Sequence, residues 1–171
     1  MNTASLGFPR IGVHRELKRA VEAYWAGRLD ASGLQQVART IRAANWRMQH
    51  DVGIDHIPSN DFSLYDQMLD TTIMLGAIPS RFGRQTETID LDLYFAMARG
   101  VSGRESGSGV PAMEMTKWFD TNYHYLVPEL QPEQEFHLAS RKPVEEFVDG
   151  PAVEQELEAL PGRLDDEHLP A

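Results

Sequence analysis

A run of aromatic and polar side chains between Glu114 and Leu130, EMTKWFDTNYHYLVPEL, is the segment best equipped for chemistry. A solvent-facing loop does not need so much ring surface, and a core strand does not need so many hydrogen-bonding groups. Rings that hold a flat ligand and polar groups that orient it are typical of the wall of a binding site. We therefore predict a site formed by Lys117, Trp118, Asn122, Tyr123 and His124.

Lys117 is the cation of this run, and it would neutralise an anionic ligand while the rings stack on a heterocycle. The alternative is a half-buried strand with a lysine at its rim. The many polar groups interleaved with rings favour the site over the plain strand.

A second candidate lies at the start of the first predicted helix, where Arg15, Glu16, Leu17 and Lys18 follow a loop. Free backbone N–H groups and the positive end of the helix dipole lie at such a position. Arg15 and Lys18 add two positive charges, so the segment predicts a cradle for carboxylates or phosphates. A solvated first turn with ordinary surface charges explains the same residues equally well.

Metal-binding and nucleophile motifs are missing from the sequence. The chain has no cysteine, which excludes disulfides, thiolate metal sites and a cysteine nucleophile within it. None of the six histidines has the H-x-x-x-H or H-E-x-x-H spacing of a zinc site. No G-x-S-x-G segment is present to suggest a serine nucleophile. We therefore predict no metal bound by this chain.

Size and charge limit the class of protein. A chain of 171 residues can build one sizeable core, and its net charge of −10 argues against nucleic acid as a main partner. No apolar stretch is long enough to span a bilayer, and the N-terminus lacks the pattern of a secretory signal. We expect a cytoplasmic protein that binds neither nucleic acid nor a membrane.

The elements that must position the candidate residues alternate along the chain. The predicted strands are residues 6–12, residues 53–61, the aromatic run, and residues 136–138. The predicted helices are residues 15–26, one from residue 32, residues 62–75, one capped by Asp90 and ending at Gly100, and one from residue 143. Residues 100–111, rich in Gly and Ser, are predicted to be a mobile loop. This alternation predicts an α/β fold with a parallel sheet.

Three segments of the chain resemble, in order and spacing, the amino-terminal region of cobalamin-independent methionine synthases. They are LGFPRIGVHRELKRAVEAYWAG, GIDHIPSNDFSLYDQMLDTTIMLG and EMTKWFDTNYHYLVPEL. The resemblance covers residues 6–148 and implies two fused (β/α)8 barrels in the family. Because a closed barrel takes about 250 residues, we expect a partial TIM-like barrel with helical insertions, about half of the amino-terminal one. We expect this domain over residues 1–148, followed by an acidic, poorly ordered tail over 149–171 that departs from the family.

The resemblance also implies a function. That family transfers a methyl group from 5-methyltetrahydropteroyl-polyglutamate to homocysteine in methionine biosynthesis, and its amino-terminal barrel helps to hold the folate. By resemblance, residues 15–18 and Lys117 match the family's folate contacts. A chain of glutamates is a chain of carboxylates, which suits a basic helix start. Trp118, Asn122, Tyr123 and His124 stay a site wall inferred from residue type alone.

The same resemblance places the family's zinc, held by His, Cys and Glu, in a carboxy-terminal barrel. Because this chain lacks cysteine, we expect it to bind no zinc and to transfer no methyl group alone. The expected ligand is 5-methyltetrahydrofolate polyglutamate. The alternatives are a non-catalytic interaction module, which pairs with a separately encoded remainder of the enzyme or with itself through an open sheet edge, and an inert truncated gene product.

Overall fold

The computed structural model describes residues 2–83, 89–102 and 109–159, with the side chains of residues 151–159 excepted. In these ranges it contains five α-helices, one short 3-10 helix and two strands. In chain order they are α1 (Glu16–Trp25), α2 (Ala31–Asp51), α3 (Gln67–Met74), the 3-10 helix (Ser80–Phe82), α4 (Leu91–Arg99), β1 (Met115–Lys117), β2 (His124–Leu126) and α5 (Lys142–Ala159). Most of the predicted mobile loop, residues 103–108, and the end of the predicted tail, residues 160–171, lie outside the described residues.

Three of the helices begin at an aspartate whose side chain accepts a backbone N–H of the first turn. Asp30 accepts from Gly33 in α2, and Asp66 accepts from Leu69 in α3. Asp90 caps α4 as predicted, with its carboxylate accepting the N–H of Leu93 at 2.8 Å. Such caps satisfy backbone donors that have no partner within the helix.

Helix α3 begins at Gln67, later than the predicted start at residue 62. The reason is that the residues before it are held in a loop by side chains from elsewhere. The Arg10 guanidinium donates to the carbonyl oxygens of Ser63 and Leu64 at 3.0 and 3.2 Å. In the same loop, the N–H of Tyr65 donates to the Tyr94 hydroxyl at 3.0 Å, so this donor is not used in a helical turn.

The observed sheet differs from the predicted one, although the α/β class is confirmed. Strands β1 and β2 form an antiparallel hairpin in which Lys117 pairs with His124. Residues 6–12 and 136–138 form no strand, and among the described residues parallel pairing is limited to one bridge, between Ala4 and His56. A parallel strand is stabilised by neighbours on its edges and by helices on its faces, and these segments lack such neighbours here.

The main apolar core of the described residues lies between the first four helices and the hairpin. Its fully buried members include Leu17 of α1, Leu34 of α2, Leu69 of α3, Met97 of α4 and Leu126 of β2. Burying a side chain of this size contributes about 1.5–3 kcal/mol. The core therefore fixes α1 and the hairpin, the two elements that carry the candidate site, in one packed unit.

Helix α5 packs on α2 through one face and leaves apolar side chains exposed on the rest of its first half. Phe147 is 70% exposed, and Val144 and Val148 are also exposed. The helix continues through the predicted domain boundary between residues 148 and 149 as far as Ala159. No helix in the described ranges is long and apolar enough to cross a bilayer.

Candidate functional site

A cavity of about 400 Å³ separates α1 from the hairpin and holds several of the predicted site residues. Its lining comes from α1, from the hairpin, from the loop before α3, and from the segment before α1. The lining residues are Leu17, Lys18, Val21, Glu22 and Trp25; Met115, Asn122, Tyr123 and His124; Leu64 and Tyr65; and Arg10 and Ile11. The two segments that the sequence singled out therefore face one common space.

Lys18 supplies a positive charge to this cavity. Its ammonium lies 3.6 Å from the Glu22 carboxylate one turn later, and its side chain is 48% exposed. An exposed pair of this kind is worth little, because water screens both charges. Lys18 can therefore exchange Glu22 for a ligand carboxylate at small cost.

Some of the backbone donors at the start of α1 are already used within the segment. The N–H of Arg15 donates to the Gly12 carbonyl, and the N–H of Leu17 donates to the Ile11 carbonyl, each at 3.2 Å. The Glu16 carboxylate accepts the N–H of His14 at 3.0 Å. Because the segment's own backbone and Glu16 use these donors, the positive side chains carry most of any attraction for an anion here.

Arg15 itself lies at the helix cap in a left-handed conformation, with φ of 65°, and its side chain is exposed. Neither Arg15 nor Glu16 lines the cavity. Arg15 and Lys18 are three positions apart on one helix. Arg15 thus stands at the periphery of the site, while Leu17 and Lys18 belong to its wall.

Lys117 and Trp118 lie on the hairpin outside the cavity lining. Lys117 is exposed and pairs across the hairpin with His124, which does line the cavity. Trp118 packs edge-on against Phe119 and Tyr125, with ring centroids 5.2 and 5.4 Å apart. The structure thus brings Asn122, Tyr123 and His124 together with Lys18 and leaves Lys117 and Trp118 beside them.

A buried carboxylate ties the hairpin to α3. The Tyr123 hydroxyl donates to Asp66 Oδ1 at 2.7 Å, and Asp66 Oδ2 accepts the N–H groups of Leu69 and Leu126 at 3.1 and 3.2 Å. Burial, and then the hydrogen bond to Asp66, raises the pKa of Tyr123 to about 12. The hydroxyl therefore stays a donor throughout the physiological pH range.

Sequence reasoning missed Arg10, which lines the cavity, and Asp66, which bonds to the hairpin from outside the cavity. The signal for Asp66 was available, since an aspartate three residues before Leu69 is typical of a helix cap. No sequence pattern indicates the hydrogen bonds of Arg10, because only the tertiary fold brings its partners to it. These partners are the carbonyls of Ser63, Leu64 and Tyr65.

The donor set of the chain does not fit the zinc that the resemblance implies for the family. Cysteine is absent from the whole sequence. Within residues 2–83, 89–102 and 109–150, no three His, Asp or Glu side chains come together as metal ligands. We therefore derive no chemical step through a metal bound to this chain.

Comparisons with known proteins identify the family of the chain. Residues 2–161 match the family model described as the N-terminal domain of cobalamin-independent synthase. The chain is 56% identical over 163 residues to a protein of Caulobacter vibrioides, and this match covers 88% of the chain and 21% of the relative. A protein of Syntrophotalea carbinolica is 52% identical over 166 residues, which is 96% of the chain and 21% of the relative.

Both relatives carry the name 5-methyltetrahydropteroyltriglutamate-homocysteine methyltransferase, as does a protein of Bradyrhizobium diazoefficiens that is 55% identical over 159 residues. The chain spans about a fifth of the length of these relatives. The family match covers nearly the whole chain and includes both α1 and the hairpin. The chain therefore belongs to the cobalamin-independent methionine synthase family, in the part that corresponds to the N-terminal domain.

Proposed function

We propose that this chain is the folate-polyglutamate-binding portion of a cobalamin-independent methionine synthase. The observation that carries the proposal is the cavity shared by Lys18 and the polar groups of the hairpin. The names of the relatives supply the ligand, a pteroyltriglutamate, whose tail is a chain of carboxylates.

The cavity's two kinds of lining suit the two parts of such a ligand. Leu17, Val21 and Met115 offer apolar surface for a ring or for the methylene groups of glutamate. Lys18, with Asn122 and His124 opposite, offers a charge and hydrogen-bonding groups for a carboxylate. Arg15 and Lys117, at the periphery, would meet further carboxylates of the tail.

Within the α/β class, we propose that the chain forms a partial (β/α) barrel. The parallel bridge between Ala4 and His56 supports it, because it joins the residues just before the first predicted strand to the second predicted strand in the sense that a barrel requires. The segment around the predicted strand 136–138 also lies beside α3, with the His137 and Ala139 N–H groups donating to the Leu75 and Met74 carbonyls. We propose that these segments become regular strands when neighbouring strands cover their edges.

Methyl transfer needs groups that this chain does not supply. The resemblance places the zinc and homocysteine ligands in a separate barrel, and the chain has no cysteine to build such a site. We therefore propose a cytoplasmic binding unit that is inactive as a methyltransferase by itself. A zinc-dependent transfer rate from the purified 171-residue chain would contradict this.

Isothermal titration with methylated tetrahydrofolate tests the binding proposal. We expect the triglutamate form to bind at least about tenfold more tightly than the monoglutamate form, and Lys18→Ala to remove most of that difference. Arg39→Ala is the matched control, because Arg39 is an exposed cation on α2 that does not line the cavity. Equal affinity for the two ligands in the wild-type chain would rule out a polyglutamate site.

A second candidate function, an interaction module, is favoured by the exposed apolar side chains of Phe136, Leu138 and Phe147. Large exposed apolar side chains that form a contiguous patch are typical of a surface that another polypeptide covers. The covering chain would be a second copy or a separately encoded remainder of the enzyme. Sedimentation over a range of concentrations tests self-association, which Phe147→Ser should weaken. A monodisperse monomer at every concentration would exclude self-association.

A further inference from the structure

We propose that Asp66 is a positioning residue that holds the hairpin to the loop before α3 through Tyr123 and so sets the shape of the cavity between the hairpin and α1. This inference rests on the proposed function, because it concerns the geometry of the same site. Asp66 itself is 3% exposed and does not line the cavity. Any effect on ligand binding must therefore pass through the residues to which it is bonded.

The loop before α3, which carries Asp66, is itself held by contacts with other parts of the chain. The Tyr94 hydroxyl accepts the N–H of Tyr65 at 3.0 Å and donates to Asp70 Oδ1 at 2.8 Å. Arg10 binds the loop's carbonyls from the opposite side. With its backbone held from two elements, the loop presents Asp66 in one position.

Asp66 then makes two separate connections to the hairpin. Its Oδ1 accepts the Tyr123 hydroxyl at 2.7 Å, and its Oδ2 accepts the Leu126 N–H at 3.2 Å. Tyr123 lies beside Asn122 and His124, which line the cavity, and Leu126 is fully buried in the core. One carboxylate thus fixes both ends of the segment that faces Lys18.

The exposed part of the hairpin is held weakly by its own strands, although Arg81 joins its two flanks by donating to the Pro111 and Ala112 carbonyls and to the Glu129 carboxylate. The strands are three residues each, and every residue from Glu114 to His124 is exposed. An isolated two-stranded hairpin is marginally stable in water at best. A hydrogen bond to a buried carboxylate is among the stronger ones, so the Tyr123 hydroxyl is well suited to hold the hairpin in place.

The test compares two tyrosines of the same strand region. Tyr123→Phe keeps the ring and removes only the donor to Asp66. Tyr125→Phe is the matched control, because its ring contacts Trp118 while its hydroxyl makes no hydrogen bond to any described residue. Asp66→Asn, which retains an acceptor for the α3 cap, serves as the conservative variant, and Asp66→Ala removes both connections.

Two readouts are measured on the full 171-residue chain. One is the ratio of dissociation constants for the triglutamate and monoglutamate forms of methylated tetrahydrofolate, which partial unfolding does not change. The other is hydrogen exchange at the hairpin amides of Trp118 and Val127, which are bonded to the Tyr123 and Glu114 carbonyls. We expect Tyr123→Phe and Asp66→Ala to lower the triglutamate preference about tenfold and to speed exchange. Tyr125→Phe should change neither, and Asp66→Asn, which keeps one acceptor oxygen but loses the charge, should lie between wild type and Asp66→Ala.

The outcomes separate this inference from the proposed function. If the wild-type chain prefers the triglutamate and Tyr123→Phe keeps that preference, the positioning role is overturned and the proposed function stands. If the wild-type chain shows no preference, the proposed function fails, and exchange alone decides whether Asp66 positions the hairpin. Unchanged exchange in Tyr123→Phe would then overturn that role, and faster exchange limited to the hairpin would support it.

Discussion

Arg42 of α2 and Glu146 of α5 form a buried ion pair, with Nη1 and Oε1 3.4 Å apart and side chains 10% and 4% exposed. Arg42 also reaches Asp149 at 3.3 Å, and Lys142 lies 3.2 Å from the same Glu146 oxygen. Lys142 in turn contacts Asp70 of α3 at 3.3 Å. These charges link α5 to α2 and α3.

Removing Arg42 should therefore loosen α5. Arg42→Ala leaves the buried Glu146 with Lys142 as its remaining described counter-ion, and breaking a buried pair in this way costs about 3 kcal/mol. Urea denaturation at pH 7 measures the change in unfolding free energy. Arg39→Ala, on the same helix but exposed, should change it by less than about 0.5 kcal/mol. Equal effects of the two substitutions would show that the pair contributes nothing specific.

The same glutamate should make stability depend on pH. Burial raises the pKa of Glu146 above its ordinary 4.5, and the opposing effects of Lys142 and Arg42 only partly offset this. Above pH 4.5 the folded chain therefore binds more protons than the unfolded one, so stability falls as pH rises through the raised pKa. The slope from this group is at most about 1.4 kcal/mol per pH unit.

Glu146→Gln removes that titration. We expect the variant's unfolding free energy to decrease less than that of wild type between pH 4.5 and pH 7.5. Groups common to both proteins cancel in the comparison. Glu145→Gln, at an exposed neighbouring position, should follow the wild-type curve. Parallel curves for wild type and Glu146→Gln would contradict the predicted shift.

Lys117 should contribute less to ligand binding than Lys18. Lys117 is exposed on the hairpin and outside the cavity lining, so its attraction for a carboxylate is screened by water. We expect Lys117→Ala to weaken triglutamate binding by about 0.5–1 kcal/mol at low salt, and the loss to shrink at about 0.5 M salt. Titration calorimetry at two salt concentrations measures both numbers. A salt-independent loss as large as that of Lys18→Ala would place Lys117 inside the site.

The sequence predicted the helices better than the sheet, and the reason is physical. The apolar stripe of α1 and the cap at Asp90 are local signals, because the spacing of Leu17, Ala20 and Val21 is enough to define a buried helix face. A parallel strand, in contrast, cannot be defined by its own local sequence. Residues 6–12 read as a strand, but pairing them requires a neighbour that is distant in sequence.

In the candidate site too, local features could be predicted from the sequence, whereas features that depend on the tertiary fold could not. Lys18 and the polar groups of the hairpin were found by residue type, since cations and interleaved rings are visible in a sequence. The sequence could not show that Lys117 lies apart from Lys18, because this depends on which face of a short hairpin meets α1. Asp66 was overlooked for a related reason. Its partner Tyr123 lies far along the chain, so only the fold brings the two together.

Two glycines that end helices offer a clean test of how the segment around His137 packs on α3. Gly76 follows α3 and Gly27 follows α1, with positive φ angles of 67° and 70°. A side chain in this left-handed region costs about 1–2 kcal/mol at either position. The two differ in their surroundings. A Cβ on Gly76 would lie 2.7 Å from Nδ1 of His137, whereas a Cβ on Gly27 would meet no described atom within 4 Å.

Gly76→Ala should therefore destabilise the chain more than Gly27→Ala, by roughly 1 kcal/mol or more, because the His137 ring must move or the segment must shift. Thermal or urea unfolding of the two variants measures the difference. The double variant Gly76→Ala with His137→Ala should recover most of the excess, since it removes the ring that the new methyl group meets. Equal destabilisation by the two single variants would mean that His137 does not pack over the end of α3 in solution.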